Sequence, residues 1–253
     1  MVKSVGEAVT LFSPGDEVWY AGALGRAGSN SEFQLVDERI TALKPKTLDN
    51  ASAAALPLTA ITAWEMLFDR LGVEENGNED DVLLIVGAAG GVGSILTQLA
   101  SKLTKMIVIG TASRPQSQKW VREAGAHHVI DHSKPLTEEL ARIGIKEVTH
   151  VASLNNTEQH YSQIIAALAP QGKLALIDDP QTLDARPAEG QKHFAALGVY
   201  VYPFDVYHPR HHCAASVTDP CGAADRQQHP PYHAGRTFWR DYRGKSAKSP
   251  HTN

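Results

Sequence analysis

The sequence predicts an α/β fold: a parallel sheet with helices between its strands, a short β-rich segment before it and a tail outside the packed fold. Three observations predict it. Short apolar runs alternate with helical stretches between residues 82 and 177. A glycine cluster joins the first of these runs to a helix. The composition then breaks near residue 199.

The elements follow in chain order. Pro14-Gly15-Asp16 is a turn signal that leads into Val18-Trp19-Tyr20, a short strand of aromatic and β-branched residues. Residues 32–36 (Glu-Phe-Gln-Leu-Val) alternate as a half-buried strand does. Residues 50–70 are rich in Ala and Leu and helical in character, with Pro57 breaking the pattern. Val82–Val86 is a continuous apolar run, as strands buried on both faces are. A helix is predicted over Ser94–Leu103 and a second strand over Met106–Ile109. A helix over 116–124 ends at Gly125, a C-cap signal. Further strands are predicted at His128–Ile130, Val148–Ala152 and Leu174–Ile177, with a helix over Tyr161–Leu168 between the last two. No internal repeat is visible.

Composition excludes several classes. The chain has 253 residues, 24 Lys and Arg against 28 Asp and Glu, and 42% apolar residues, which is ordinary for a globular protein. No apolar run reaches the roughly 18 residues a membrane span needs, and the N-terminus lacks a signal-peptide core. Two cysteines, Cys213 and Cys221, do not make a disulfide scaffold, so a reducing cytoplasm is expected.

Gly87-Ala88-Ala89-Gly90-Gly91-Val92-Gly93 lies between the apolar strand and its helix, with Gly87, Gly90 and Gly93 three residues apart. Glycines permit the tight turn and let backbone N–H groups approach a pyrophosphate, to which the helix N-terminus adds its positive dipole end. A strand–helix turn that binds nothing is the bland alternative. An NAD site normally ends its second strand on an Asp or Glu that bonds the ribose 2′-OH. Here the strand runs into Gly110-Thr111-Ala112-Ser113-Arg114-Pro115, without an acid. Ser113 and Arg114 suit a 2′-phosphate and favour NADP, although a solvated arginine after a strand is common.

Gly15-Asp16-Glu17-Val18, the stretch Ala53–Glu65 and the Gly87–Gly93 loop together resemble medium-chain dehydrogenase/reductases, in particular their quinone oxidoreductase branch, often labelled zinc-type alcohol dehydrogenase-like. Residues 152–157 and 177–180 are similar to that branch too, so the resemblance spans roughly residues 2–198. It implies a Rossmann-type cofactor domain at 61–198, a remnant of a β-rich GroES-like catalytic domain at 1–60 and a non-native or disordered tail at 199–253. It implies NADPH-dependent hydride transfer to a quinone or an α,β-unsaturated carbonyl. Thr62 and Asn156 would lie by the nicotinamide, and Gly87, Gly90, Gly91, Val92 and Gly93 would form the pyrophosphate loop. Ser113 and Arg114 would hold the 2′-phosphate, with His132 near the adenosine ribose. A small-molecule substrate, no nucleic acid, no membrane and a homodimeric full-length parent fit this resemblance. Relatives carry a longer β-rich domain before the point matching Met1, so a catalytically inactive NADP-binding fragment is the alternative.

Zinc needs Cys or His ligands, and residues 1–126 contain neither. The positions where zinc-dependent relatives carry cysteines, within Ala55–Trp64 and Trp19–Phe33, have none here. A metal-free enzyme is therefore expected. His208, His211, His212 and Cys213 are spaced like ligands, but they lie in a compositionally biased stretch. Asp178-Asp179 reads as a strand end, and His127, His128 and His150 read as ordinary strand or turn residues. No catalytic residue is assigned, since the cofactor carries the hydride.

Residues 199–253 hold no Leu, Ile or Met, 6 of the 14 prolines, 6 of the 12 histidines and a net charge of +3. Those basic residues are scattered, which ranks a nucleic-acid arm last. Reading each codon's last two bases with the first base of the next permits Met-Phe-Thr-Arg-Ser-Met from Tyr200 onward, a stretch similar to the quinone oxidoreductase branch at this point. A single-base insertion or deletion near residue 199 is expected.

Overall fold

A computed structural model describes residues 1–23, 26–77, 79–183 and 195–196. The chain divides into two compact units, Met1–Ile61 and Thr62–Val201. The readings on residues 199–253 lie outside the described residues.

In the first unit, β1 (Val18–Tyr20) pairs antiparallel with β2 (Thr41–Leu43), Trp19 opposite Ala42. The Pro14–Asp16 turn forms as expected: Gly15 takes φ +95°, and Asp16 accepts the Ser13 N–H at 2.8 Å. Residues 32–36 do not form the expected strand. Their alternation is present, but the partner of β1 is Thr41–Leu43, and Phe33 and Leu35 stand 71% and 82% exposed. Gln34 spends its side chain on Tyr20 Oη and the Ala27 carbonyl, both at 2.8 Å. Asp49 caps α1 (Asn50–Ala54) by accepting the Ser52 N–H at 2.8 Å. Pro57 then opens α2 (Pro57–Trp64), where its fixed φ and missing N–H cost nothing. A π-turn, Glu65–Arg70, continues α2.

The second unit holds a six-stranded sheet in which every neighbouring pair is parallel. Its strands are β3 (Val82–Val86), β4 (Ile107–Thr111), β5 (His128–Ile130), β6 (Val148–Ser153), β7 (Leu168–Leu176) and the two-residue β8 (Ala195–Ala196). Their spatial order is β5-β4-β3-β6-β7-β8, so the first strand in sequence lies in the middle. The helices are α3 (Gly91–Leu103), α4 (Pro115–Glu123), α5 (Leu136–Arg142) and α6 (Thr157–Ala167). All five residues of β3 are buried, as a central parallel strand requires. From α3, Gly93, Leu96, Thr97 and Ala100 are buried, the spacing of one helical face. Strands β3 to β7 and helices α5 and α6 share one apolar core, including Leu84, Ile109, Ile130, Leu136, Leu140, Val151 and Ile164.

Helix α5 is absent from the sequence reading. Its seven residues bury just Leu136, Glu139 and Leu140, too short a stripe to register as a period. Helix α6 begins four residues earlier than the expected Tyr161, because its cap comes from a distant strand end.

Candidate functional site

The strand order reverses between β3 and β6: the chain leaves β3 towards β4 and β5 on one side and returns through β6 and β7 on the other. In open α/β sheets, ligands bind beyond the carboxyl ends of the strands at such a reversal. Five strand ends meet that edge, and most residues singled out from sequence sit on them.

The loop after β3 is shaped by what surrounds its glycines. Gly87 takes φ +85° and its N–H is accepted by Thr111 Oγ1 at 3.0 Å. A Cβ on Gly87 would run into the Asn155 side-chain amide, with Asn155 Cγ 3.1 Å away. A Cβ on Gly93 would stand 2.7 Å from Ala88 Cα, 2.8 Å from Ala88 C and closer still to the Gly87 carbonyl oxygen. These are backbone atoms, so glycine at 93 is what lets α3 approach the strand end. Gly90 is the N-cap of α3 and offers no side-chain cap, while Gly90 and Gly91 are exposed. The Ser94 hydroxyl turns back to the Gly90 carbonyl at 2.8 Å and leaves the leading N–H groups alone. A 13-residue helix thus points an uncapped, positive end into solvent at the switch point. A dinucleotide pyrophosphate fits this cradle.

After β4, Ala112 N–H reaches the Ile130 carbonyl at 2.9 Å and Gln118 Nε2 the Ala112 carbonyl at 3.1 Å, fixing the strand end. Ser113 is half-buried and Arg114 exposed. Arg114 is the N-cap of α4, ahead of Pro115, and its side chain makes no cap bond. After β6, Asn155 and Asn156 are exposed, and Asn156 lies in the left-handed region (φ +51°, ψ +34°) that Asn tolerates.

Helix α6 takes its cap from β7. Asp178 Oδ2 accepts the Thr157 N–H at 2.8 Å, and Asp178 Oδ1 accepts the Thr157 hydroxyl. Thr157 Oγ1 lies 2.7 Å from Ser153 Oγ, and both residues are fully buried. This chain of bonds ties the ends of β6 and β7 together and holds the Asn155–Asn156 turn against Gly87. A cavity of about 580 Å³ opens beside it, lined by Asn155, Asn156, Glu158, Gln159, Asp178, Asp179 and Pro180.

The structure therefore brings Gly87, Gly90, Gly91, Val92, Gly93, Ser113, Arg114, His132 and Asn156 to loops and the start of α3 on one edge. Thr62 is buried on α2. Asn155 and Asp178 were missed as site residues. Asn155 carried a signal, being adjacent to Asn156, whereas the Asp178–Thr157 bond crosses 21 residues and has none.

The histidines set aside from sequence take structural roles. His127 Nδ1 accepts the Val108 N–H at 2.8 Å. His150 lies 2.9 Å from Thr149 Oγ1, and burial lowers its pKa, opposed by Asp81. Among the described residues no three His, Cys, Asp or Glu side chains gather as metal ligands.

The profile of the "Zinc-binding dehydrogenase" family matches residues 91–208. The zinc-type alcohol dehydrogenase-like protein of Staphylococcus aureus is 40% identical over 189 residues, 73% of this chain and 56% of that protein. A candidate zinc-dependent alcohol dehydrogenase from Rhizobium etli shares 51% identity and superposes with a TM-score of 0.72 over 80% of this chain and 60% of that one. Over this stretch the chain resembles the medium-chain dehydrogenase/reductases. Its second unit has a Rossmann-type fold. The quinone oxidoreductase of Escherichia coli, solved in complex with NADPH, matches at 25% identity and a TM-score of 0.66, over 78% of this chain and 60% of that one. The chain spans 56% of the length of the Staphylococcus aureus relative. No helix among the described residues is long and apolar enough to cross a membrane.

Proposed function

We propose that this chain binds NADPH along the carboxyl edge of its parallel sheet and belongs to a metal-free reductase of quinones or other enones. The observation that carries the reading is the glycine cradle: backbone-limited at Gly93, uncapped at Gly90 and set at the reversal of strand order. The preference for NADP over NAD rests on Ser113 and Arg114, which stand where an acid would bond a ribose 2′-OH. The relative from E. coli that was solved with NADPH supports the same cofactor.

When bound, the nicotinamide would supply the hydride. The residues of this chain bind and orient. The N–H groups at the head of α3 neutralise the pyrophosphate, while Ser113 and Arg114 take the 2′-phosphate and His132 borders the adenosine side. Thr62 and the Asn155–Asn156 turn flank the nicotinamide end, with Asp178 holding that turn through Thr157. Proton delivery needs no side chain, because solvent can protonate the reduced product. Quinones and α,β-unsaturated carbonyls suit this division of labour, since hydride addition leaves a stabilised anion. A cytoplasmic location and a homodimeric parent belong to the same reading.

A second reading follows from length. A chain spanning 56% of its relatives could retain the cofactor fold without turnover, as an NADP-binding fragment. Titration with NADPH and NADH, followed by a quinone and enone panel, separates the two. Tight NADPH binding with turnover supports the reductase, and binding without turnover supports the fragment. No binding of either cofactor refutes both.

A further inference from the structure

Two imidazoles from different elements, His160 buried and His132 half-buried, meet outside the glycine loop. His132 follows β5 on the stretch leading to α5, and His160 stands in the first turn of α6. Their ring centroids are 6.0 Å apart and their planes meet edge to face at 80°. His160 is 5% exposed. The Nδ1 atom of each ring is sealed from solvent and has no hydrogen-bond partner.

A neutral imidazole can leave one nitrogen bare, but an imidazolium carries a proton on both. Protonated His160 would therefore bury an N–H donor with no acceptor, beside another ring. The charged groups nearby are already engaged or exposed. Asp131 accepts the Ser133 N–H at 2.9 Å and the Ser133 hydroxyl at 2.7 Å. Glu139 of α5 is held by Arg142 and by the Asp131 N–H. Lys134 and Glu158 are exposed. None of them reaches either Nδ1.

We propose that the His132–His160 contact is an acid-released latch: with His160 neutral it seats the β5–α5 stretch against α6, and a proton on His160 parts the two and loosens the cofactor edge. The coupling to the site is short. Thr157 lies three positions before His160, is anchored to Asp178 and directly follows the Asn155–Asn156 turn. On the other side, His132 is two residues beyond the β5 end, whose Ile130 carbonyl accepts the Ala112 N–H just before Ser113 and Arg114. The latch rests on the reading that this edge holds NADPH.

Burial first, and then the neighbouring His132 ring, lower the pKa of His160 from its ordinary value. A folded-state value below the unfolded one stabilises the fold fully above the ordinary histidine pKa of about 6.5, and that stabilisation is lost as pH falls through the folded value.

The test uses the full chain. Proton NMR follows His160 through titration, and urea midpoints and NADPH dissociation constants are measured between pH 7.5 and 5.5 for the wild type, His160→Phe and His132→Phe. His160 is expected to titrate below the ordinary histidine value. The wild-type urea midpoint should fall with acid and NADPH binding should weaken several-fold, both more steeply than in the two variants. The 2′-phosphate titrates near pH 6 in every sample and so cancels in the comparison. The latch is overturned if His160 titrates at or above the ordinary value, or if the variants keep the wild-type acid slopes. The NMR arm on the wild type decides the matter should a variant fail to fold. Absence of NADPH binding at every pH would sink the cofactor reading, and the NMR and urea arms would still decide the latch.

Discussion

Replacing Gly93 with Ala adds a single methyl group, and the structure allows its consequence to be worked out. The methyl would sit 2.7 and 2.8 Å from Ala88 Cα and C, and still closer to the Gly87 carbonyl oxygen. No rotamer change relieves a clash with backbone, so the start of α3 must lift away from the end of β3. Overpacking of this kind costs about 1–3 kcal/mol. The helix preference of Ala over Gly returns up to about 1 kcal/mol. With that return in full, the net expectation is a loss of up to about 2 kcal/mol, read as a lower urea midpoint by tryptophan fluorescence. A lifted α3 also carries its N–H groups away from the pyrophosphate, so NADPH affinity should fall about tenfold, equivalent to about 1.4 kcal/mol. Gly90→Ala is the control. Its methyl would meet just the Gly87 carbonyl oxygen, at 3.4 Å, from an ordinary φ of −78°. Its stability should stay within about 0.5 kcal/mol of the wild type, as surface substitutions usually do. Gly93→Ala with wild-type stability and wild-type NADPH affinity would refute the close-approach argument.

Arg114→Ala should weaken NADPH binding while leaving NADH binding unchanged, in parallel titrations; equal losses for both would remove Arg114 from the 2′-phosphate site. Asp178→Ala removes the cap of α6 and should cost about 1 kcal/mol in urea unfolding, within the range of N-cap losses. It should also weaken NADPH binding, because the Asn155–Asn156 turn is released; Asp178→Asn, which keeps an acceptor, should recover part of both. Glu139 is held at a pKa of about 2, chiefly by the Arg142 side chain and then by the Asp131 N–H. A lowered carboxyl pKa stabilises the fold above the ordinary carboxylate range and ceases to do so as pH falls through about 2. Glu139→Gln should therefore flatten the acid dependence of the urea midpoint in that window, well below the histidine window, and an unchanged slope would show that the Arg142 bond contributes nothing.

Five of the sheet's six strands were legible because each carries its own signal; β7 begins at Leu168, before the expected Leu174, and the two-residue β8 carries none. Val82–Val86 is apolar throughout because it is covered on both faces, and the glycine at 93 is dictated by backbone atoms a few residues away. The Gly87–Gly93 loop could be read for the same reason: strand, turn and helix start are local, so the backbone contacts that exclude a methyl at 93 are encoded within seven residues. What failed to show is whatever depends on partners distant in sequence. Phe33 and Leu35 alternate like strand residues, yet no property of residues 32–36 announces that β1 will take Thr41–Leu43 as its partner. The same holds at the site. Asn156 could be singled out through family resemblance, but Asp178, which holds its turn, looks from sequence like the polar end of a strand. Its meaning appears when β6 and β7 lie side by side and Thr157 presents two donors to one carboxylate. His160 is the extreme case, since a histidine inside an amphipathic helix carries no mark of burial. Its burial is set by where α5 and the β5 end come to rest. Motifs therefore report contacts closed within a turn or two of chain, whereas the bonds that hold a site in register are set by topology. Substitutions at Asp178 and His160 accordingly test the assembled sheet edge more sharply than substitutions within the glycine motif.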